Sequence, residues 1–241
     1  MHVSVVLPQE RPGDPAMARV MASWHRPGRY VPCSVYPLRR GPLRRWRRSG
    51  LVWDVVPSGD GFQVASAARI DQLDLGLLLA TTAAAARGRW LTWKAQVADT
   101  PRARPWESFL ADHERSPRTH PLPLVQQRFL AQPRVLTMLA VNAQRLVPFD
   151  LNPYDLEALQ AGERVYCTLA AHQAVVGQML VLPHGIVYRP HGADLAHRLN
   201  YLRAAVNTVQ FLQPDRYLAA VLATSSEVLP DPALTQPAPA S

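Results

Sequence analysis

The chain has 241 residues, enough for one large or two small domains, and 48% of them are hydrophobic, so a buried core can form. Charged residues make up only 18%, and 23 prolines outnumber 12 glycines, which puts much of the chain in loops or extended linkers without making it a solvated disordered one. Net charge is +8, and the longest apolar stretch, residues 75–86, holds a glycine and two threonines and falls short of the ~20 residues of a membrane span.

The first 50 residues carry ten arginines against two acids, Glu10 and Asp14, a net of +8 that equals the charge of the whole chain. From Leu51 onward 16 basic residues face 16 acids, so a basic front end precedes a neutral body. Seven prolines and no sustained periodicity predict a mostly irregular N-terminal arm with a short helix over residues 15–23, and Met17 or Met21 is an alternative start. Glu10, Arg11 and Asp14 stand where a signal peptide would place its apolar stretch, which together with only two cysteines, Cys33 and Cys167, fits a reducing cytoplasm. Removing residues 1–50 is expected to leave a folded body.

Within the arm, Arg39, Arg40, Arg44, Arg45, Arg47 and Arg48 bring six cations and Trp46 into ten residues, and Gly41 and Pro42 forbid a long helix. Such a segment neutralises nucleic-acid phosphates without regard to sequence, and the tryptophan can stack on an exposed base. A solvated loop with its tryptophan packed on its own domain, or a contact for an anionic membrane or acidic protein, is the alternative. Because 25 of the 26 basic residues are arginine, the clustering carries the argument and the arginine count does not.

Residues 51–56 and 62–65, separated by the Pro-Ser-Gly-Asp-Gly turn at 57–61, read as a hairpin opening a first lobe over 51–98. Asp71 predicts the cap of a helix over 73–86, apolar on nearly all sides and therefore central and buried, ended by Gly88. Six prolines make residues 99–133 a long connector with one helical piece at 106–115. A second lobe, 134–224, begins with a strand or short helix at 135–141. Asn152 and Pro153 then start a helix to about Gln160, and residues 163–176 continue as a helix stopped at Gly177, although alternation at 165, 167 and 169 also permits a strand. A hairpin over 179–182 and 186–188 follows. The strongest amphipathic helix runs from Asp194 to Leu212, with Leu199 and Leu202 on its apolar stripe and Arg198 and Arg203 off it. Residues 217–223 close as a strand or short helix before a Pro/Ala/Ser tail at 225–241, expected to be disordered.

No glycine-rich phosphate loop, paired CxxC, HExxH or nucleophile elbow occurs, so no catalytic residue is nominated and no enzyme is expected. Cys167 and His172 are five apart, on different faces of one helix, and Cys167 reads as a small core residue. Asp112, His113, Glu114 and His120 lack repeated ligand spacing, and His184 and His191 beside glycines read as turn histidines. No metal or cofactor is expected at either place.

Residues 147–172, VPFDLNPYDLEALQAGERVYCTLAAH, resemble the second winged-helix domain of plasmid replication initiator proteins, with Arg164 to Ala170 in the place of the family's "RLY-x-x-LA" helix. Residues 70–79, IDQLDLGLLL, are similar to the "DLD" helix that opens the first domain of such initiators, whose helix-turn-helix and "Y-x-x-L-x-x-L" helix have no counterpart in proline-rich 89–133. The resemblance implies sequence-directed duplex binding at an origin, without catalysis, through the 192–212 helix or the hairpin before it. The expectation is an α+β fold with two helix-and-hairpin, winged-helix-like lobes. Its expected function is cytoplasmic DNA binding, as a monomer or a homodimer, in which the arginine arm holds phosphates and Arg198 and Arg203 lie in the reading lobe. The alternative is a protein-protein adaptor whose basic arm binds an acidic partner.

Overall fold

A computed structural model of the chain describes residues 2–7, 30–43, 52–59, 61–183 and 186–223. The fold is α+β. The chain divides into two compact units, the first comprising residues 1–79, 172–190 and 201–241 and the second residues 80–171 and 191–200.

The first unit is built around a strand that composition alone places in an irregular arm. β1 (His2–Leu7) reads HVSVVL, and Val3 to Leu7 are all buried. A short run apolar on both faces, interrupted only by a small serine, suits a strand paired on both sides in mid-sheet. It pairs antiparallel with β10 (Tyr217–Ala223) in the register Val3 to Val221, and parallel with β8 (Met179–Val181) in the register Val3 to Met179. β8 turns back into β9 (Val187–Tyr188), the expected hairpin. The far side of β10 pairs with β7 (Ala67–Arg69) and then with β2 (Tyr30–Pro32), while β4 (Val52–Trp53) forms the edge beyond β7, completing a seven-stranded sheet. A second sheet joins β3 (Tyr36–Pro37), β6 (Gln63–Ala65) and β5 (Val56–Pro57); the β5–β6 pair is the hairpin its glycine turn predicts.

The expected irregularity of the arm is thereby corrected: among the described residues, 1–50 contribute three strands, one of them in the middle of the main sheet. The expected helix at 15–23 and the tail at 225–241 lie outside the described residues.

Alternate β1 residues face two environments. Val3, Val5 and Leu7 cluster with Ala67, Met179, Val181, Tyr217, Ala219 and Val221. Ser4, on the other face, is fully buried and meets the end of helix α6 (Glu163–Val176), which stops before Gly177 as expected. The last carbonyls of a helix have no N–H one turn further on. Here Val175 O accepts from Ser4 Oγ at 3.0 Å and from Tyr36 Oη at 3.0 Å, and Val176 O from Tyr201 Oη at 3.0 Å. Burial pushes the Tyr36 and Tyr201 phenols well above their ordinary range, so both remain donors. Gly177 closes the helix at φ +64°, and a Cβ there would lie 2.5 Å from His2 O.

The second unit is helical among its described residues. α1 (Leu75–Gln96) is capped by Asp74, whose Oδ1 accepts from Leu77 N at 2.9 Å, while Asp71 sits in a 3-10 turn and pairs with Arg69 at 2.6 Å. The helix passes through Gly88, and only Ala86 and Trp93 are buried, so the expected central helix is long and largely peripheral. The expected connector is also corrected. Residues 99–133 hold α2 (Trp106–Arg115), α3 (Leu122–Leu130) and the start of α4 (Pro133–Ala143), and they supply Phe109, Val125 and Phe129 to the core around Trp93, Met138 and Leu156. Proline content misleads because Pro105 and Pro121 sit at N-caps, and Pro123 and Pro133 in first turns, where no N–H is needed. The extended piece before α2 has its backbone satisfied by two glutamines. Gln160 clamps both polar groups of Ala103 (2.9 and 2.8 Å), and Gln132 does the same at Arg104 (2.7 and 2.9 Å). Asn152 caps the turn at Pro153–Asp155 that leads into α5 (Leu156–Ala161), and α7 (Leu195–Gln210) starts at Asp194, whose Oδ1 accepts from His197 N. The structure thus divides the chain differently from lobes at 51–98 and 134–224.

Candidate nucleic-acid interface

The arginine run begins where β3 ends, and that end is anchored. Leu38 N donates to Gln63 O at 2.9 Å, Arg39 N to Gln72 O at 2.9 Å, and Asp74 N to Pro37 O at 2.8 Å. Leu38, which is buried, bridges to Leu73. The Arg39 guanidinium gives Nε–H to Leu73 O at 2.8 Å, which fixes the plane of the fork while the residue stays exposed. Arg40 is exposed too, and among the described residues neither arginine is paired with a carboxylate.

Connectivity gives the run its second anchor. Residues 38–51 join β3 of the small sheet to β4 of the large one, so the basic segment is a connection held at both ends within one unit rather than a free arm. Arg44, Arg45, Trp46, Arg47 and Arg48 lie outside the described residues. The sequence between Pro15 and Trp53 contains nine arginines and no acid. The first carboxylate beyond it, Asp54, is occupied by Ser66 Oγ at 2.9 Å and adopts a left-handed backbone at φ 46°.

Trp53 is a residue that sequence reasoning passed over. It stands on edge strand β4, its backbone held by pairing with Ala67, and 41% of it is exposed. An indole fixed on a strand and open to solvent offers a stacking surface at the end of the acid-free stretch. The signal was present in the sequence, as a tryptophan five residues past Arg48, but only the structure separates an exposed ring from a core one.

The two arginines of α7 have different surroundings. Arg203 is exposed and lies close enough to His172 to reinforce the downward pull of burial on that imidazole. Arg198 faces Glu107, whose carboxyl is raised chiefly by burial, with Glu157 and Asp155 adding to the rise and Arg198 opposing it. Its charge is therefore partly met at home.

Against known protein families, curated proteins and solved structures, the chain has no match. Its chemistry is read from its own residues.

Cys33 and Cys167 are free thiols, and burial together with Glu163 raises Cys167 above the usual thiol range, away from nucleophilic use. Asp112 is held by Arg104 at 2.6 Å and Arg115 at 3.4 Å, which lower its pKa, and a ring nitrogen of His113 meets His120 O at 2.8 Å. Asp112, His113 and Glu114 lie in the last turn of α2, and these contacts tie that turn to Arg104 and to the segment carrying His120. His191 is exposed, and His184 lies outside the described residues. Among the described residues no three His, Cys, Asp or Glu side chains gather as metal ligands, and no helix is long and apolar enough to cross a membrane.

Proposed function

We propose that the protein binds nucleic acid, DNA before RNA, through the basic connection between β3 and β4, with no catalytic step. One observation carries the reading: an arginine run without a single acid is anchored at Arg39 and ends at a strand bearing an exposed tryptophan. Anchoring matters because a pre-positioned cation loses less conformational freedom on meeting a phosphate than one on a free arm. Arg203 is the remaining candidate on the reading side, and Arg198 contributes less because its charge acts on Glu107. The resemblance of residues 147–172 to replication initiators supports a duplex origin as target, with Arg164 to Ala170 on α6.

Six phosphate contacts predict a slope of about −5 in log K against log salt on duplex DNA. Replacing Arg39, Arg40, Arg44, Arg45, Arg47 and Arg48 by glutamine should flatten most of that slope, measured by fluorescence anisotropy across a salt series. Any preference of cognate over random duplex should survive, because phosphate contacts position while base edges specify. Absence of salt-dependent association with DNA and RNA would refute the proposal and leave an adaptor for an acidic protein partner in its place.

A further inference from the structure

We infer that helix α4 is the face through which two copies of this chain pair; the inference goes beyond nucleic-acid binding and does not depend on it. One side of α4 is ordinary core, with Val135, Met138 and Val141 buried. The unusual feature is that every polar side chain of the helix is also satisfied within the unit. Arg134 gives Nε to Thr100 Oγ1 at 3.0 Å, Nη1 to Gln160 Oε1 at 2.9 Å and Nη2 to Thr100 O at 2.6 Å. Thr137 Oγ1 donates to Pro133 O at 3.0 Å, and the Asn142 amide closes on both backbone groups of Leu151 at 2.9 and 2.8 Å.

What remains toward solvent is apolar. Leu136 is 51% exposed and Leu139 36%, with Pro133, Ala140 and Ala143 exposed beside them. The helix ends in a Schellman turn, Leu146 N to Val141 O at 3.2 Å and Arg145 N to Asn142 O at 3.1 Å, which brings Leu146, 58% exposed, over its last turn. Positions 133, 136, 139, 140 and 143 share one face by helical spacing. A helix apolar on both sides is ordinarily covered on both sides.

The occupant follows from the stripe's charge and shape. It carries no charge, so it offers nothing to a charged partner and is electrostatically matched to itself. When two α4 helices cross antiparallel about a two-fold axis between residues 139 and 140, Leu136 meets Ala143 of the second copy and Leu139 meets Ala140. Leu136 and Leu139 then each face an alanine and Leu146 lies toward Pro133, so the two helices approach closely and interdigitate, and each contact occurs twice as two-fold symmetry requires. The stripe and Leu146 together bury on the order of 800 Å² per pair, and rim residues such as Gln144 bring this toward the ~1,200 Å² where specific interfaces begin. That scale fits a concentration-dependent dimer.

Sedimentation velocity on the full chain, from low micromolar to about 200 µM, tests the pairing; a small interface places the monomer-dimer transition in that window. The transition should not weaken as salt is raised, because the contact is apolar. Leu136→Glu, at an exposed position, should abolish it while leaving the thermal melt in place. Leu136→Ala removes a knob and Ala143→Leu fills a hole, and each should weaken the dimer by about tenfold. The double variant L136A/A143L restores leucine against alanine and should recover the dimer. A wild type that stays monomeric throughout, a dimer unaffected by Leu136→Glu, or a double variant no better than either single one would overturn the inference. DNA binding by a strictly monomeric wild type would remove the dimer and leave the proposed function standing.

Discussion

The buried hydroxyl pair at the end of α6 makes a quantitative prediction, because it holds three contacts and only two hydrogens. Ser4 Oγ and Tyr36 Oη lie 2.9 Å apart and each lies 3.0 Å from Val175 O. Each hydroxyl donates once, so two of the three contacts are hydrogen bonds at any moment, and either residue alone can satisfy the carbonyl. Tyr36→Phe should therefore cost about 1 kcal/mol, the net value of one neutral bond, and Ser4→Ala about the same. The double variant loses both donors and strands a buried carbonyl, which adds about 1–3 kcal/mol of desolvation to the sum of the single effects. A double-mutant cycle from urea unfolding midpoints at constant m reads this coupling directly. Additivity within about 0.5 kcal/mol would refute the reasoning, because it would mean that Val175 O has another donor or reaches water.

Two further expectations concern the same region. Gly177→Ala combines a left-handed backbone with a Cβ 2.5 Å from the His2 carbonyl oxygen, and should lower stability by about 3 kcal/mol or more in thermal unfolding; a loss under 1 kcal/mol would refute the close approach. Burial holds the His2 and His172 imidazoles below their ordinary value of 6.5, with Arg203 adding to the effect at His172. Above about pH 7 both are neutral folded or unfolded and contribute nothing, but as pH falls through 6.5 the unfolded chain takes up protons that the folded chain refuses, so stability declines. Urea midpoints at pH 8 and pH 5 should show the decline, and His172→Gln should reduce it; a midpoint constant or rising toward pH 5 would contradict the burial argument.

Much of the local structure follows from short-range chemistry. Asn152 with Pro153, Asp194 and Gly177 mark helix ends because capping uses groups within a few residues, and the β8–β9 hairpin closes over a short turn. The arginine cluster was legible for the same reason, since charge density is a property of consecutive residues. Gly88 and the prolines at 105, 121, 123 and 133 were misleading because a glycine is tolerated inside a long helix and a proline in a first turn, and sequence distance from a cap does not separate those cases from breaks.

Tertiary structure alone decided the partners. β1 and β10 lie at opposite ends of the chain and pair over six residues, a contact paid for by loop closure across the whole body and invisible to any local period. That pairing puts residues 2–7, at the start of a segment that composition marks as irregular, in the middle of a sheet. It also places Ser4 at the end of α6, where a helix formed 170 residues later needs a donor. The pairings of β3 with β6 and of β4 with β7 make the basic segment a connection held at both ends, its first end anchored through Leu38 and Arg39 to backbone groups more than 20 residues away. Residue types determine which groups need partners; only the folded chain determines which residues supply them.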